Sequence, residues 1–138
     1  MVDEFEILEH TADVGVIARG ADIGQAFANA GKALFSLITE LEDVEEVIYR
    51  EIEIDAQDRE SLLVRWLNEL IYIFDTENIL LKVFDIQQLT NTSLKAVAYG
   101  EEVNTAKHQL KTGIKAATYH MLKIDENDGY RVQVLFDI

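Results

Sequence analysis

His10, Thr11 and Asp13 sit together in "EHTADVGVIARG" (residues 9–20), and Asp137 precedes Ile138 in "VLFDI". Their polar side chains are candidate metal ligands and proton carriers. An ionised aspartate is an acceptor-only anion and a hard oxygen ligand for Ca²⁺ or Mg²⁺. Val132, Val134 and Phe136 alternate with Gln133, Leu135 and Asp137. A strand over these residues would hold the Asp137 carboxylate close to the α-carboxylate of Ile138. Two anions that close repel unless a cation or a proton lies between them. With Asp13 added, the set is three carboxylates, which suits Ca²⁺ or Mg²⁺ and is poor for zinc. With His10 beside them, the same groups could activate a water for metal-dependent hydrolysis. Both readings require the first and last strands to lie side by side. A purely structural reading stands next to them. Asp13 and Thr11 can accept backbone N–H bonds in a turn, His10 can end a strand, and Asp137 can keep an edge strand soluble.

Other chemistries lack their motifs. The chain has no GxGxxG, no GxxxxGK[ST], no HExxH and no GxSxG. Ser36, Ser61 and Ser93 occur in no nucleophile context. There is no cysteine, which excludes disulfides, thiolate zinc sites and cysteine nucleophiles.

Periodicity predicts the strands and helices that carry these candidates. "FEILEH" and "VGVIARG" predict two strands joined by a short turn. "DIGQAFANAGKALFSLIT" predicts a helix: Ile23, Ala26, Phe27, Ala30, Leu34, Leu37 and Ile38 share one face, and Asp22 with Gln25 suits a capping box. Gly24 and Gly31 inside it mark close packing against a neighbour. "TELEDVEEV" carries five acids between Glu40 and Glu46 and reads as a solvated loop. It lacks the spacing and central glycine of an EF-hand calcium loop. "VIYREIEIDA" is a third strand, and "DRESLLVRWLNELIYIFDTEN" a second helix capped by Asp58, with Leu63, Trp66, Leu67, Leu70 and Phe74 as its apolar stripe. "LLKVFDIQQL", "SLKAVAYGEEV", "GIKAATYHMLKI" and "YRVQVLFDI" predict four more strands, with turns at "TNTS" and "ENDG". Asp128-Gly129 suits a type I′ hairpin turn. The order β-β-α-β-α-β-β-β-β predicts an α+β fold, two helices packed on a mixed or mostly antiparallel β-sheet. The length of 138 residues fits a single domain over residues 1–138.

The formal net charge is −14, which repels nucleic acid at long range and favours a basic partner. Residues 1–60 hold 16 acids against 4 Lys/Arg, whereas residues 103–124 hold no acid and four lysines. A bipolar surface is therefore expected. No run approaches the roughly 18 apolar residues of a membrane span, and the acidic N-terminus does not read as a secretory signal. A cytoplasmic protein that does not bind membrane is expected.

"FEILEHTADVGVIARG", "DIGQAFANAGKALFSLI", "IKAATYHMLKI" and "RVQVLFDI" together resemble the archease family, from Phe5 to Ile138. The combination of "HTAD", "KAATYH" and a final "FDI" carries the resemblance. It implies an accessory protein and not an enzyme. Such proteins assist the tRNA-splicing RNA ligase, which joins 2′,3′-cyclic-phosphate or 3′-phosphate ends to 5′-hydroxyl ends. They promote guanylylation of the ligase and its multiple turnover, so contact with tRNA is indirect. The resemblance also implies a chaperone-like link to a tRNA cytosine methyltransferase. It implies a metal site, generally described with calcium, whose ligands on this chain would be Asp13, Asp137 and Ile138. His10, Lys115, Thr118 and His120 lie in the matching motifs and are implied as partner or activation residues. Met121 stands where the resemblance implies glycine or a small residue.

Overall fold

The computed structural model describes residues 4–9 and 13–138. The elements are β1 (Phe5–Glu9), β2 (Asp13–Gly20), α1 (Ile23–Ile38), β3 (Ile48–Asp55), α2 (Arg59–Glu77), β4 (Ile79–Leu89), β5 (Ser93–Glu102), β6 (Ala116–Glu126) and β7 (Tyr130–Asp137), with a 3₁₀ turn at Leu41–Asp43. The order is the predicted one, and the fold is α+β with every strand pair antiparallel. The strands form two sheets where a single one was expected: β1-β2-β7-β6 and β3-β5-β4. Among the described residues, no helix is long and apolar enough to cross a membrane.

Both helices pack on both sheets, α1 mainly on β2 and β4 and α2 mainly on β6 and β3. That explains why burial is not confined to one stripe. Phe27, Ala30, Leu34 and Phe35 are all fully buried on α1, as are Leu62, Leu63, Trp66 and Leu67 on α2. Helix α1 starts where Asp22 Oδ1 accepts the Gln25 N–H at 2.8 Å. Gln25 Oε1 reaches back to the Ala21 N–H at 2.6 Å, one residue before the N-cap that a standard capping box would use. Asp58 caps α2 in the same way, accepting the Ser61 N–H at 2.8 Å. That bond, with a second contribution from the Ser61 hydroxyl, holds the Asp58 carboxyl below its ordinary range. A Cβ placed on Gly31 would lie 3.0 Å from Leu70 and 3.3 Å from the Phe84 ring, so this glycine does mark the close junction of α1, α2 and β4.

Gly100 is a stricter case. A Cβ built there overlaps the carbonyl oxygen of Leu80 on the paired strand β4. The obstacle is backbone and cannot rotate away. Gly100→Ala is expected to cost about 1–3 kcal/mol, the usual range for overpacking. Chemical denaturation, read as a lower midpoint at an unchanged slope, checks this.

Two of the four lysines expected to form a basic pole are paired with acids instead. The acidic loop after α1 and the basic segment after β5 are folded onto each other. Lys111 pairs with Glu40 at 3.1 Å, and Lys107 with Glu101 at 2.9 Å and Glu45 at 3.5 Å. The Lys111 N–H donates to the Ile38 carbonyl at 2.8 Å. Buried His108 accepts the Asn104 N–H at Nδ1 (3.0 Å), so Nε2 carries the proton and faces the Asp43 carbonyl at 3.1 Å. Burial pushes the Glu101 carboxyl up, but the Glu45 amide and the Lys107 ammonium outweigh it and hold it below the ordinary range.

Candidate functional site

The four-stranded sheet places β7 between β2 and β6. Its register puts Asp13 directly opposite Asp137, Val14 opposite Phe136 and Val16 opposite Val134. Val14, Val16, Val134 and Phe136 belong to the buried core. Alternation therefore turns Asp13 and Asp137 to the opposite, outer face. Directly opposed residues of an antiparallel pair have Cβ atoms about 4.5–5.5 Å apart. The first and last strands do lie side by side, and two carboxylates share one spot at the end of the sheet.

Asp137 is exposed and Asp13 half-buried. Among the described residues neither joins an ion pair. Like charges directly opposite one another destabilise a sheet unless a cation or a proton lies between them. No three His, Asp or Glu side chains converge among the described residues. The donor set in view is two side-chain carboxylates plus the main chain at Ile138, all of them hard oxygens of the kind Ca²⁺ and Mg²⁺ prefer.

Strand β6 flanks the pair. Ala116 is opposite Asp137, and Thr118 is opposite Leu135. The Lys115 N–H donates to the Asp137 carbonyl at 2.8 Å, which ties Lys115 to the same end of the sheet. Thr118 donates its hydroxyl to the Leu135 carbonyl at 3.0 Å and accepts the His120 N–H at 3.3 Å. Beyond Thr118 the register jumps: the next paired residue is Lys123, opposite Gln133. Residues 119–122 thus arch out of the ladder as a wide bulge, a device that re-aims side chains near functional sites. His120 is exposed on this bulge rather than in the ladder beside the carboxylates. The Gln133 amide pins the bulge by donating to the Met121 carbonyl at 2.9 Å. Met121 has φ 55°, in the left-handed region that favours glycine, which gives a physical reason for glycine there. His10 and Thr11 lie outside the described residues.

Asn68 of α2 carried no signal in the sequence. Its side-chain amide accepts the Ala117 N–H at 2.7 Å and donates to the Ala117 carbonyl at 3.4 Å. The outer edge of β6 thereby gains a substitute for a neighbouring strand, just between Lys115 and Thr118.

Comparisons with known proteins bear on the fold and the family. A model of the Archease protein family matches residues 5–138. The protein archease of Sulfolobus acidocaldarius is 40% identical over 136 residues, covering 97% of this chain and 98% of the relative. That of Methanosarcina mazei is 36% identical over 140 residues, covering 98% and 96%. The solution structure of protein 1598 of Methanobacterium thermoautotrophicum superposes with a TM-score of 0.83 at 38% identity, covering 98% of this chain and 99% of that one. The crystal structure of an archease, possible chaperone, from Thermotoga maritima shares the fold, with a TM-score of 0.62 at 22% identity and coverage of 95% and 94%. On the family match and these relatives, the chain belongs to the archease family.

Proposed function

We propose that the protein is an accessory factor of the tRNA-splicing RNA ligase, acting through a divalent-cation site at the outer end of the four-stranded sheet. Asp13 and Asp137 would hold the ion, with a main-chain oxygen of Ile138, and calcium is the ion the family resemblance favours. The observation that carries the reading is the register that sets Asp13 against Asp137 with no described cation to neutralise them. A bound ion would supply positive charge beside phosphate groups during nucleotidyl transfer. Lys115 and Thr118 are fixed at the same end of the sheet by backbone and hydroxyl bonds, and His120 is offered by the bulge. These three are the contact residues for the ligase, and His10 is proposed with them from the family motif. Guanylylation and repeated turnover of the ligase are the steps promoted.

Multiple-turnover joining of RNA by the ligase of the same organism tests this. Wild type is expected to stimulate joining below one equivalent of ligase. Asp13→Ala and Asp137→Ala are expected to lose most of that stimulation. No stimulation by wild type overturns the reading, and full stimulation by both variants makes the carboxylates spectators. Phosphoesterase activity of the protein alone, removed by a chelator, would instead favour a metal-dependent hydrolase.

The charge of −14 supports a second reading, a chaperone-like partner of a basic RNA-binding enzyme such as a tRNA cytosine methyltransferase. Suppressed light scattering of that enzyme on mild heating is its expected signature.

A further inference from the structure

We propose that the open edge of β3 is a docking strand for a positively charged, extended segment of a partner protein, bound as an added strand of the three-stranded sheet. This stands apart from the carboxylate site and does not rest on the activator reading.

Among the described residues, strand β3 is paired on one side only, with β5. Its hydrogen-bond parity is fixed at one end, where the Ala56 N–H donates to the Thr92 carbonyl at 2.8 Å. Alternation then directs Arg50, Ile52 and Ile54 toward β5, and the N–H and C=O groups of Tyr49, Glu51, Glu53 and Asp55 toward the open side. The Arg50 guanidinium covers the Tyr49 carbonyl at 2.8 Å, itself held by Glu77 at 2.8 Å. Along Glu51 and Glu53 no hydrogen bond to those outward groups occurs among the described residues outside the β5 ladder. The strand offers main-chain donors and acceptors to a newcomer.

The side chains say what kind of newcomer fits. Ile52 and Ile54 are buried on the inner face, and Glu51, Glu53 and Asp55 are exposed on the outer face at every second position. On this face Lys95 lies opposite Glu53. Beside this row an apolar stripe crosses the sheet in register, Tyr49 opposite Tyr99 and Tyr99 opposite Val83. Tyr49 is 58% and Val83 37% exposed, and the two tyrosine rings are 6.3 Å apart. A groove of about 550 Å³ runs along Val47–Glu51 at the edge. A second copy of the chain would set these acids against its own acids, which charge repulsion disfavours. A strand with Lys or Arg at alternate positions and an apolar residue beside Tyr49 satisfies the backbone, the charge row and the stripe together.

The test uses isotopically labelled protein and synthetic nonapeptides. One peptide alternates lysine with valine, a second has the same composition with its lysines contiguous, and a third repeats the first with N-methylated backbone on the docking side. The alternating peptide is expected to slow amide exchange of Glu51 and Glu53 by about tenfold or more, as a new strand pairing does, and the other two are expected to leave it unchanged. The Glu51→Lys, Glu53→Lys double variant should keep its spectrum and lose the protection. Equal protection by the contiguous-lysine peptide would reduce the effect to bulk charge attraction and overturn the proposal. So would unchanged exchange with the alternating peptide, or protection in the protein alone accompanied by a dimer in sedimentation.

Discussion

Asp137→Asn is expected to make the protein slightly more stable without divalent ions and clearly less stable than wild type in their presence. Asp13 and Asp137 are directly opposed across β2 and β7. Removing one charge of a like-charged, directly facing pair relieves about 0.2–1 kcal/mol of repulsion, and asparagine keeps the shape. An ion that binds only the folded state adds about 2.7 kcal/mol at one hundred times its dissociation constant. For a domain of this size that is on the order of 10 °C in melting temperature. Thermal melts with EDTA and with millimolar calcium would show a large calcium response in wild type and little in the variant. Asp13→Asn should behave alike, and the double variant should be no worse than either single one, because each alone dismantles the same seat. An undiminished calcium response in both variants would mean that any ion is held elsewhere.

Trp66→Ala is the expected extreme for stability. Trp66 is fully buried on α2. Its indole N–H donates to the Phe27 carbonyl of α1 at 2.9 Å, and its ring meets Phe84 of β4 edge-on at 6.0 Å. One side chain thus joins both helices and the three-stranded sheet. Truncation leaves a cavity at that joint and is expected to cost about 3–5 kcal/mol, a large share of the roughly 5–15 kcal/mol that a small domain has in total. Trp66→Phe keeps most of the packing and gives up the hydrogen bond, a smaller loss of about 1 kcal/mol. The chain has one tryptophan, so urea unfolding of these variants is best followed by circular dichroism. Similar midpoints for Trp66→Ala and wild type would show that the joint is not where the core is held.

Local chemistry was legible in the sequence, and long-range pairing was not. Asp22 and Asp58 announced the two helix starts, because a capping side chain acts within three residues. The hairpin at Asp128-Gly129 was legible for the same reason. Both residues take positive φ, although the closing pair is Glu126 with Tyr130, so the loop has three residues and not the two of a bare type I′ turn. The division of strands between two sheets was hidden, since alternation tells which face of a strand is buried but not which strand lies beside it. "GIKAATYHMLKI" read as one unbroken strand, yet it begins only at Ala116 and breaks register at 119–122. Nothing in Tyr119 or His120 marks a bulge, and Met121 is not a residue that advertises left-handed backbone. The charge asymmetry overstated the basic pole because linear composition ignores contact: Lys107 pairs with Glu45 of the neighbouring loop and Glu101 of β5, and Lys111 pairs with Glu40. Asp13 and Asp137 were legible as ligand types, and their juxtaposition depended on β2 meeting β7.

That meeting also governs how the molecule can be made. Strand β7 is the spacer between β2 and β6, so both neighbours lack a partner on that side while the ribosome has yet to deliver it. The three-stranded sheet and both helices come from residues 23–102 and can assemble earlier on a growing polypeptide. Residue 13 must wait for its counterpart until residue 137 has been made. A nascent chain stalled before residue 130 would expose the flanks of β2 and β6 to aggregation, the hazard expected of unpaired strands during vectorial folding.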